Sequence, residues 1–214
     1  MDEEKVKKYL KGTTTVGFIC ADGVVLASDR RATMGFFIAD KDAQKIYQID
    51  DKLAMTTAGM VADNQVLVRN MRAQTALYKM DGKPMSVKSA STLLSNILHS
   101  NRFYPLMAQL IVGGYDEKPT IFELDPIGGM SEKSVCSTGS GSLTAYGVLE
   151  TQYNETITVE EGIKLAVKCI RAALERDAGT GNGVDVITIK ENGLERVPEE
   201  TIQTIYNGLA SIKG

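Results

Sequence analysis

Gly12 and Thr13, in the run Gly12-Thr13-Thr14-Thr15-Val16, have the most chemistry to offer in this 214-residue chain. A break between them would leave a chain whose first residue carries both a hydroxyl and a free α-amine. A threonine hydroxyl is almost fully protonated at neutral pH and needs a neighbour to take its proton. An α-amine, with a reference pKa of about 7.7–8.0, is substantially neutral near pH 7–8 and can be that neighbour, directly or through one water. The same residues also read as the ordinary entry to a strand, so the rest of the chain must supply the context.

Four further positions bear on that chemistry. Asp29 ends a strand that hairpins back along the one beginning near Thr13, which brings its carboxylate toward the same region; the alternative is a strand-end acid paired with Arg30 or Arg31. Lys45 opens the next strand. If it points inward it needs a compensating acid, and an Asp29–Lys45 pair beneath Thr13 would hold an ammonium where an alkoxide develops. If it points outward it is a surface lysine. Thr57-Ala58-Gly59 ends a strand before a helix, where a glycine lets the backbone approach a substrate and offer its N–H to an oxyanion, or simply makes a turn. Asp177 continues the apolar stripe of a helix by one turn, so it either points inward toward a partner or belongs to the loop around Gly179 and Gly181.

Other chemistries find less support. A single histidine, His99, rules out any site needing two imidazoles, and its place in Leu93-Leu94-Ser95-Asn96-Ile97-Leu98-His99 reads as a helix surface or helix end. No nucleophile elbow accompanies it, and no metal-ligand cluster is visible. Thr138-Gly139-Ser140-Gly141-Ser142 is glycine-rich before a helix but lacks the Gly-Lys-Ser/Thr ending of a phosphate loop. Cys20, Cys136 and Cys169 are odd in number, far apart and set in apolar stretches, which reads as reduced, buried thiols of a cytoplasmic protein. A net charge of −3 gives no footprint for nucleic acid or an anionic membrane. The leader, residues 1–12, has no apolar core and is not a secretory signal, and no run approaches the ~20 apolar residues of a membrane span.

The elements that must position these residues follow from periodicity. Strands are expected over 14–20 and 24–29 around a turn at Asp22-Gly23, with Asp-Gly supplying positive φ angles, then over 45–49 and 52–57. Helices follow near 61–80 and 86–101, strands near 109–114, 120–124 and 134–138, and a helix behind the capping box Thr158-Val159-Glu160-Glu161. A last core strand covers 184–189 and a final short helix 199–212. With 43% hydrophobic residues and no linker or repeat, one domain is expected. Its segregated blocks of strands and helices indicate an α+β fold with mainly antiparallel sheets.

Taken together, Gly12-Thr13-Thr14-Thr15-Val16-Gly17, Ala27-Ser28-Asp29-Arg30-Arg31-Ala32-Thr33-Met34-Gly35, Lys45-Ile46-Tyr47-Gln48-Ile49, Met55-Thr56-Thr57-Ala58-Gly59, Gln109-Leu110-Ile111-Val112-Gly113-Gly114, Thr138-Gly139-Ser140-Gly141-Ser142 and Arg176-Asp177 resemble the β subunits of the proteasome, most closely those of archaea. The resemblance is collinear over about 200 residues. It implies the four-layer αββα sandwich of the N-terminal nucleophile hydrolases, a removable propeptide at 1–12 and a single catalytic domain at 13–214. It further implies a threonine endopeptidase that cuts itself after Gly12, with Thr13 as nucleophile and its freed amine as base. Asp29 and Lys45 become the supporting pair, Gly59 the oxyanion donor, and Ser140 and Asp177 the partners of the terminal amine. Thr180 stands where many relatives have serine, keeping the hydroxyl.

By the same resemblance, the Thr33 backbone pairs with substrate as an added strand. Ala32, Ala43, Thr57 and Val61 line the side-chain pocket, the small uncharged Thr57 fitting cleavage after apolar residues. The implied partners are α subunits and other β copies in four stacked heptameric rings, a regulatory ATPase and unfolded polypeptide substrates, with no metal or cofactor. A non-catalytic ring subunit and an amidase acting on small molecules are the competing readings. The first would keep residues 1–12 after assembly, and the second would act as a free subunit.

Overall fold

The computed structural model describes residues 12–210; residues 1–11, which hold all but the last residue of the expected leader, and 211–214 lie outside that range. Among the described residues seventeen elements follow one another: β1 (Thr14–Cys20), β2 (Gly23–Asp29), β3 (Ala32–Met34), β4 (Phe37–Asp40), β5 (Ile46–Asp50), β6 (Leu53–Gly59), α1 (Val61–Met80), α2 (Val87–Ser100), β7 (Ala108–Tyr115), β8 (Pro119–Leu124), β9 (Met130–Lys133), β10 (Val135–Gly139), α3 (Ser142–Gln152), α4 (Val159–Arg176), β11 (Val184–Lys190), β12 (Gly193–Arg196) and α5 (Glu199–Ala210). They build two five-stranded sheets, ordered β10-β1-β2-β11-β12 and β5-β6-β7-β8-β9, and a two-stranded ribbon of β3 and β4. Neighbouring strands are antiparallel throughout.

The sheets face each other and helices cover both outer faces, which is the expected four-layer αββα arrangement. Alternation along single strands produces it. In β2, Val25 and Ala27 join the core under α3, α4 and α5, while Val24 and Leu26 point into the core between the sheets. A strand buried on both faces has no polar side, so all seven residues of β2 are buried. β7 repeats the pattern: Leu110 and Val112 meet α1 and α2, and Ile111 meets the other sheet. α4 opens with the expected capping box, Thr158 accepting from Glu161 N–H and Glu161 reaching back to Thr158, a device that contributes about 1 kcal/mol.

One turn differs from expectation. Cys20 pairs with Gly23, so Ala21 and Asp22 form the hairpin loop, and neither they nor Gly23 adopts a positive φ. Gly23 is needed for a close approach instead: a Cβ there would stand 2.4 Å from the Ile189 carbonyl oxygen and 3.0 Å from Val159 Cγ2. Asp22 accepts a hydrogen bond from Val159 N–H at 2.7 Å and pairs with Lys190.

The antiparallel order decides where chemistry can happen. In the first sheet the start of β1, the end of β2, the end of β10 and the start of β11 share one edge, because Thr14 pairs with Gly139 and Asp29 with Val184. In the second sheet the residue before β5 is Lys45, and β6 ends at Gly59 beside Ala108. Hydrogen bonding between Lys45 and Asp29 joins the two edges.

Candidate active site

Thr13 and Asp29 are buried on this edge, 4% and 0% exposed, and Lys45 is 5% exposed. Burial settles the alternatives left by the sequence. Asp29 takes no side-chain contact from Arg30 or Arg31. Its Oδ1 accepts from Lys45 Nζ at 2.6 Å and Thr14 N–H at 2.9 Å, and its Oδ2 from the backbone N–H groups of Arg31 at 3.0 Å and Gly181 at 2.9 Å. Arg30 turns away to Asp185 and Glu199, and Arg31 to Asn182 and Ala178. A carboxylate with four donors is held in one orientation, aimed at the buried ammonium beside it. Burial pulls the Lys45 pKa below its usual 10.5, and the Asp29 charge and hydrogen bond oppose that pull.

A second polar chain runs behind Thr13. Thr13 N–H donates to Ser140 Oγ at 3.2 Å; Ser140 and Thr180 both bond Asp177 Oδ2 at 2.5 Å; and Thr180 Oγ1 lies 2.6 Å from Thr14 Oγ1. An ionised carboxylate only accepts, so both hydroxyls donate to it and Thr14 must donate to Thr180. Asp177 is the C-cap of α4, its N–H still bonded to Ala173, and it is half-buried. It thus both leaves the helix, with extended φ of −100° and ψ of 116°, and turns toward a partner. Thr180, 1% exposed, makes the hydrogen bond expected of the usual serine.

Gly12 enters this edge buried. Its N–H donates to Thr33 Oγ1 at 2.9 Å, and Thr13 Oγ1 donates to the Gly12 carbonyl oxygen at 2.7 Å. The hydroxyl therefore lies against the carbonyl of its own preceding peptide. Gly59 has φ +122°, and a Cβ there would fall 2.0 Å from the Met107 carbonyl oxygen, so both backbone conformation and space demand glycine.

Two hollows flank Thr13. One, about 20 Å³, is bounded by all four residues expected of a side-chain pocket, Ala32, Ala43, Thr57 and Val61, together with Tyr47 and Asn64. At that size it holds about one water, so any larger side chain requires its walls to move. The other is an open cleft of about 640 Å³ that runs past Gly12, Thr33, Gly59, Ser140 and Asp177 to the exposed Phe36 on the β3–β4 ribbon. Tyr47, Asn64 and the Thr14 and Thr33 hydroxyls carry no sequence signal for these places, because each is an ordinary strand or helix residue until the two edges meet.

The remaining candidates lie elsewhere. His99 is an exposed residue near the end of α2, its Nδ1 3.3 Å from the Ile127 carbonyl oxygen. Cys20, Cys136 and Cys169 are free and buried, and desolvation pushes Cys20 and Cys169 up to about 12 and raises Cys136 as well. Among the described residues no three His, Cys, Asp or Glu side chains gather as a metal site, and no helix is long and apolar enough to cross a membrane.

Comparison with known proteins finds relatives along most of the chain. Residues 9–189 match the family described as proteasome subunit. A proteasome subunit beta of Methanococcus vannielii is 53% identical over 211 residues, covering 97% of this chain and 96% of that one. Those of Methanocaldococcus vulcanius and Methanosarcina barkeri are 54% and 52% identical, over 90% and 94% of this chain and 88% and 97% of theirs.

Proposed function

This chain belongs to the proteasome subunit family as a β subunit of the core particle, assembled with other subunits, and from that premise we propose that it is a threonine endopeptidase made active by its own cleavage after Gly12. The observation that carries this reading is the Lys45–Asp29 pair, buried on the same edge as Thr13, with three backbone N–H groups completing the carboxylate's hydrogen bonds. A buried ammonium is costly to keep and would serve no purpose on an inert edge.

Maturation comes first. Thr13 Oγ attacks the Gly12 carbonyl carbon, the hydroxyl proton passes to the departing nitrogen, and the C–N bond breaks, leaving an ester and a free amine. Water then hydrolyses the ester, which releases Gly12 as a carboxylate and restores the hydroxyl. While the leader is attached the nitrogen is an amide and cannot act as base, so the uncut chain is latent.

In the mature subunit the Thr13 amine, oriented by Ser140, Asp177 and Thr180, takes the hydroxyl proton as Oγ attacks a substrate carbonyl. Lys45, held by Asp29, lowers the energy of the developing alkoxide, and Gly59 N–H donates to the oxyanion. The amine proton goes to the leaving nitrogen, and water completes the cycle through the acyl-enzyme. The cleft past Thr33 receives an extended chain as an added strand, and the hollow bounded by Ala32, Ala43, Thr57 and Val61 opens to take the side chain before the cut. Unfolded polypeptides, delivered by a regulatory ATPase through stacked heptameric rings of α and β subunits in the cytoplasm, are the substrates of this reading.

Thr13→Ala in the assembled particle is the test. Peptide hydrolysis falls by roughly 10³-fold or more and residues 1–12 stay attached. Wild-type turnover with normal leader removal would overturn the proposal.

A further inference from the structure

Gly179 lies in the loop between α4 and β11 and touches the scissile junction with backbone alone. A Cβ built on Gly12 would stand 2.0 Å from Gly179 Cα, and one built on Gly179 would stand 2.3 Å from Gly12 Cα. The contact is reciprocal, and neither side is a flexible chain end that could swing away. Gly179 does not adopt a positive φ, so its own conformation accepts alanine and only the contact demands glycine. Its N–H donates to Asp177 Oδ1 at 3.2 Å, which ties it to the carboxylate that also holds Ser140.

The peptide joining Gly12 to Thr13 is therefore fixed from three directions. Thr33 Oγ1 accepts from Gly12 N–H, Ser140 Oγ accepts from Thr13 N–H, and Gly179 bounds Gly12 from the side. We propose that Gly179 is a positioning residue for leader removal: a bare-backbone seat that keeps the Gly12 carbonyl against the Thr13 hydroxyl. This inference rests on the self-cleavage proposed above.

The seat acts only on the uncut chain. Once Gly12 departs as a carboxylate, the nearest remaining atom to a Gly179 Cβ is Ser140 Oγ at 3.2 Å, a separation that a shift of a few tenths of an ångström relieves. A methyl group at 179 displaces the carbonyl before cleavage and afterwards presses only on the Ser140 hydroxyl at that closeness. Misplacement of a reacting atom by about 1 Å can cost on the order of 10²-fold in rate.

The test uses Gly179→Ala in the whole particle in two forms, one with its own leader and one whose leader is replaced by a separately removable fusion that exposes Thr13 directly. Leader removal, followed by intact mass, slows at least about tenfold in the first form, while the second hydrolyses peptides within about threefold of the wild-type rate, the cost of moving Ser140 Oγ by a few tenths of an ångström. Wild-type leader removal by the variant overturns the inference. So does equal impairment, or failed assembly, of the pre-exposed form, since Gly179 would then serve the fold or turnover itself. A wild-type particle that keeps its leader would instead sink the reading of Thr13.

Discussion

An aspartate–lysine pair stands at each end of β2. Asp22 meets Lys190 at 2.7 Å by the hairpin, and Asp29 meets Lys45 at 2.6 Å beside Thr13. The distances are alike and the surroundings are not: the first pair is 45% and 41% exposed, the second 0% and 6%. At the hairpin, burial raises the Asp22 pKa, but Lys190 and the Val159 N–H together outweigh it and hold the carboxyl below its usual value. Solvent screens that pair, and such contacts contribute ~0–1 kcal/mol. At the site burial dominates and drives the lysine's pKa down. Two salt bridges of one chemical type thus differ in what they can do, because only the one kept from water holds an unscreened positive charge on the edge that carries Thr13.

Removing each lysine is the sharpest way to break the comparison. Lys45→Ala leaves the Asp29 carboxylate buried without its cation, so unfolding free energy falls by about 3–5 kcal/mol. Peptidase turnover falls by roughly 10²–10³-fold. Lys190→Ala changes stability by less than ~1 kcal/mol and leaves turnover untouched. Denaturant melts and peptide assays on both variants check this, and equal losses would erase the distinction.

The pH profile sharpens it further. The terminal amine must be neutral, so kcat/KM climbs as pH rises through about 7.7–8.0. Lys45 must be protonated, and its pKa lies below 10.5, so the ammonium is present below that lowered value and lost as pH rises through it. The alkaline limb therefore falls earlier than for an ordinary lysine. A limb at or above 10.5 would show that Lys45 is not the group that titrates.

The smallest effects belong to Thr180. Thr180→Ser keeps the hydroxyl between Thr14 and Asp177, and turnover changes by less than about threefold. Thr180→Val leaves both partners one hydrogen bond short, and the loss is about tenfold. Steady-state kinetics on the pair of variants reads both.

What the sequence made legible tracks the type of interaction. Core elements came through because β2 and β7 are short apolar runs, α4 carries a helical apolar stripe, and its capping box is a local four-residue device. Thr13, Asp29 and Lys45 stood out as polar groups at the ends of apolar strands. The β3–β4 ribbon did not, since Met34, Phe36 and Phe37 are exposed and the ribbon shows no alternation between core and solvent. Asp22-Gly23 misled because glycine serves there for closeness, not for φ, and closeness depends on Ile189, far along the chain. Gly179 was visible only as one glycine in the run Ala178-Gly179-Thr180-Gly181-Asn182-Gly183; its contact with Gly12 exists only once α4 and β1 are packed.

Intact mass of the β chain, taken from particles during peptide hydrolysis, tests the central claim most directly. The account requires that chains in turning-over particles begin at Thr13, having lost residues 1–12. Full turnover by particles whose β chains still carry those residues would contradict it.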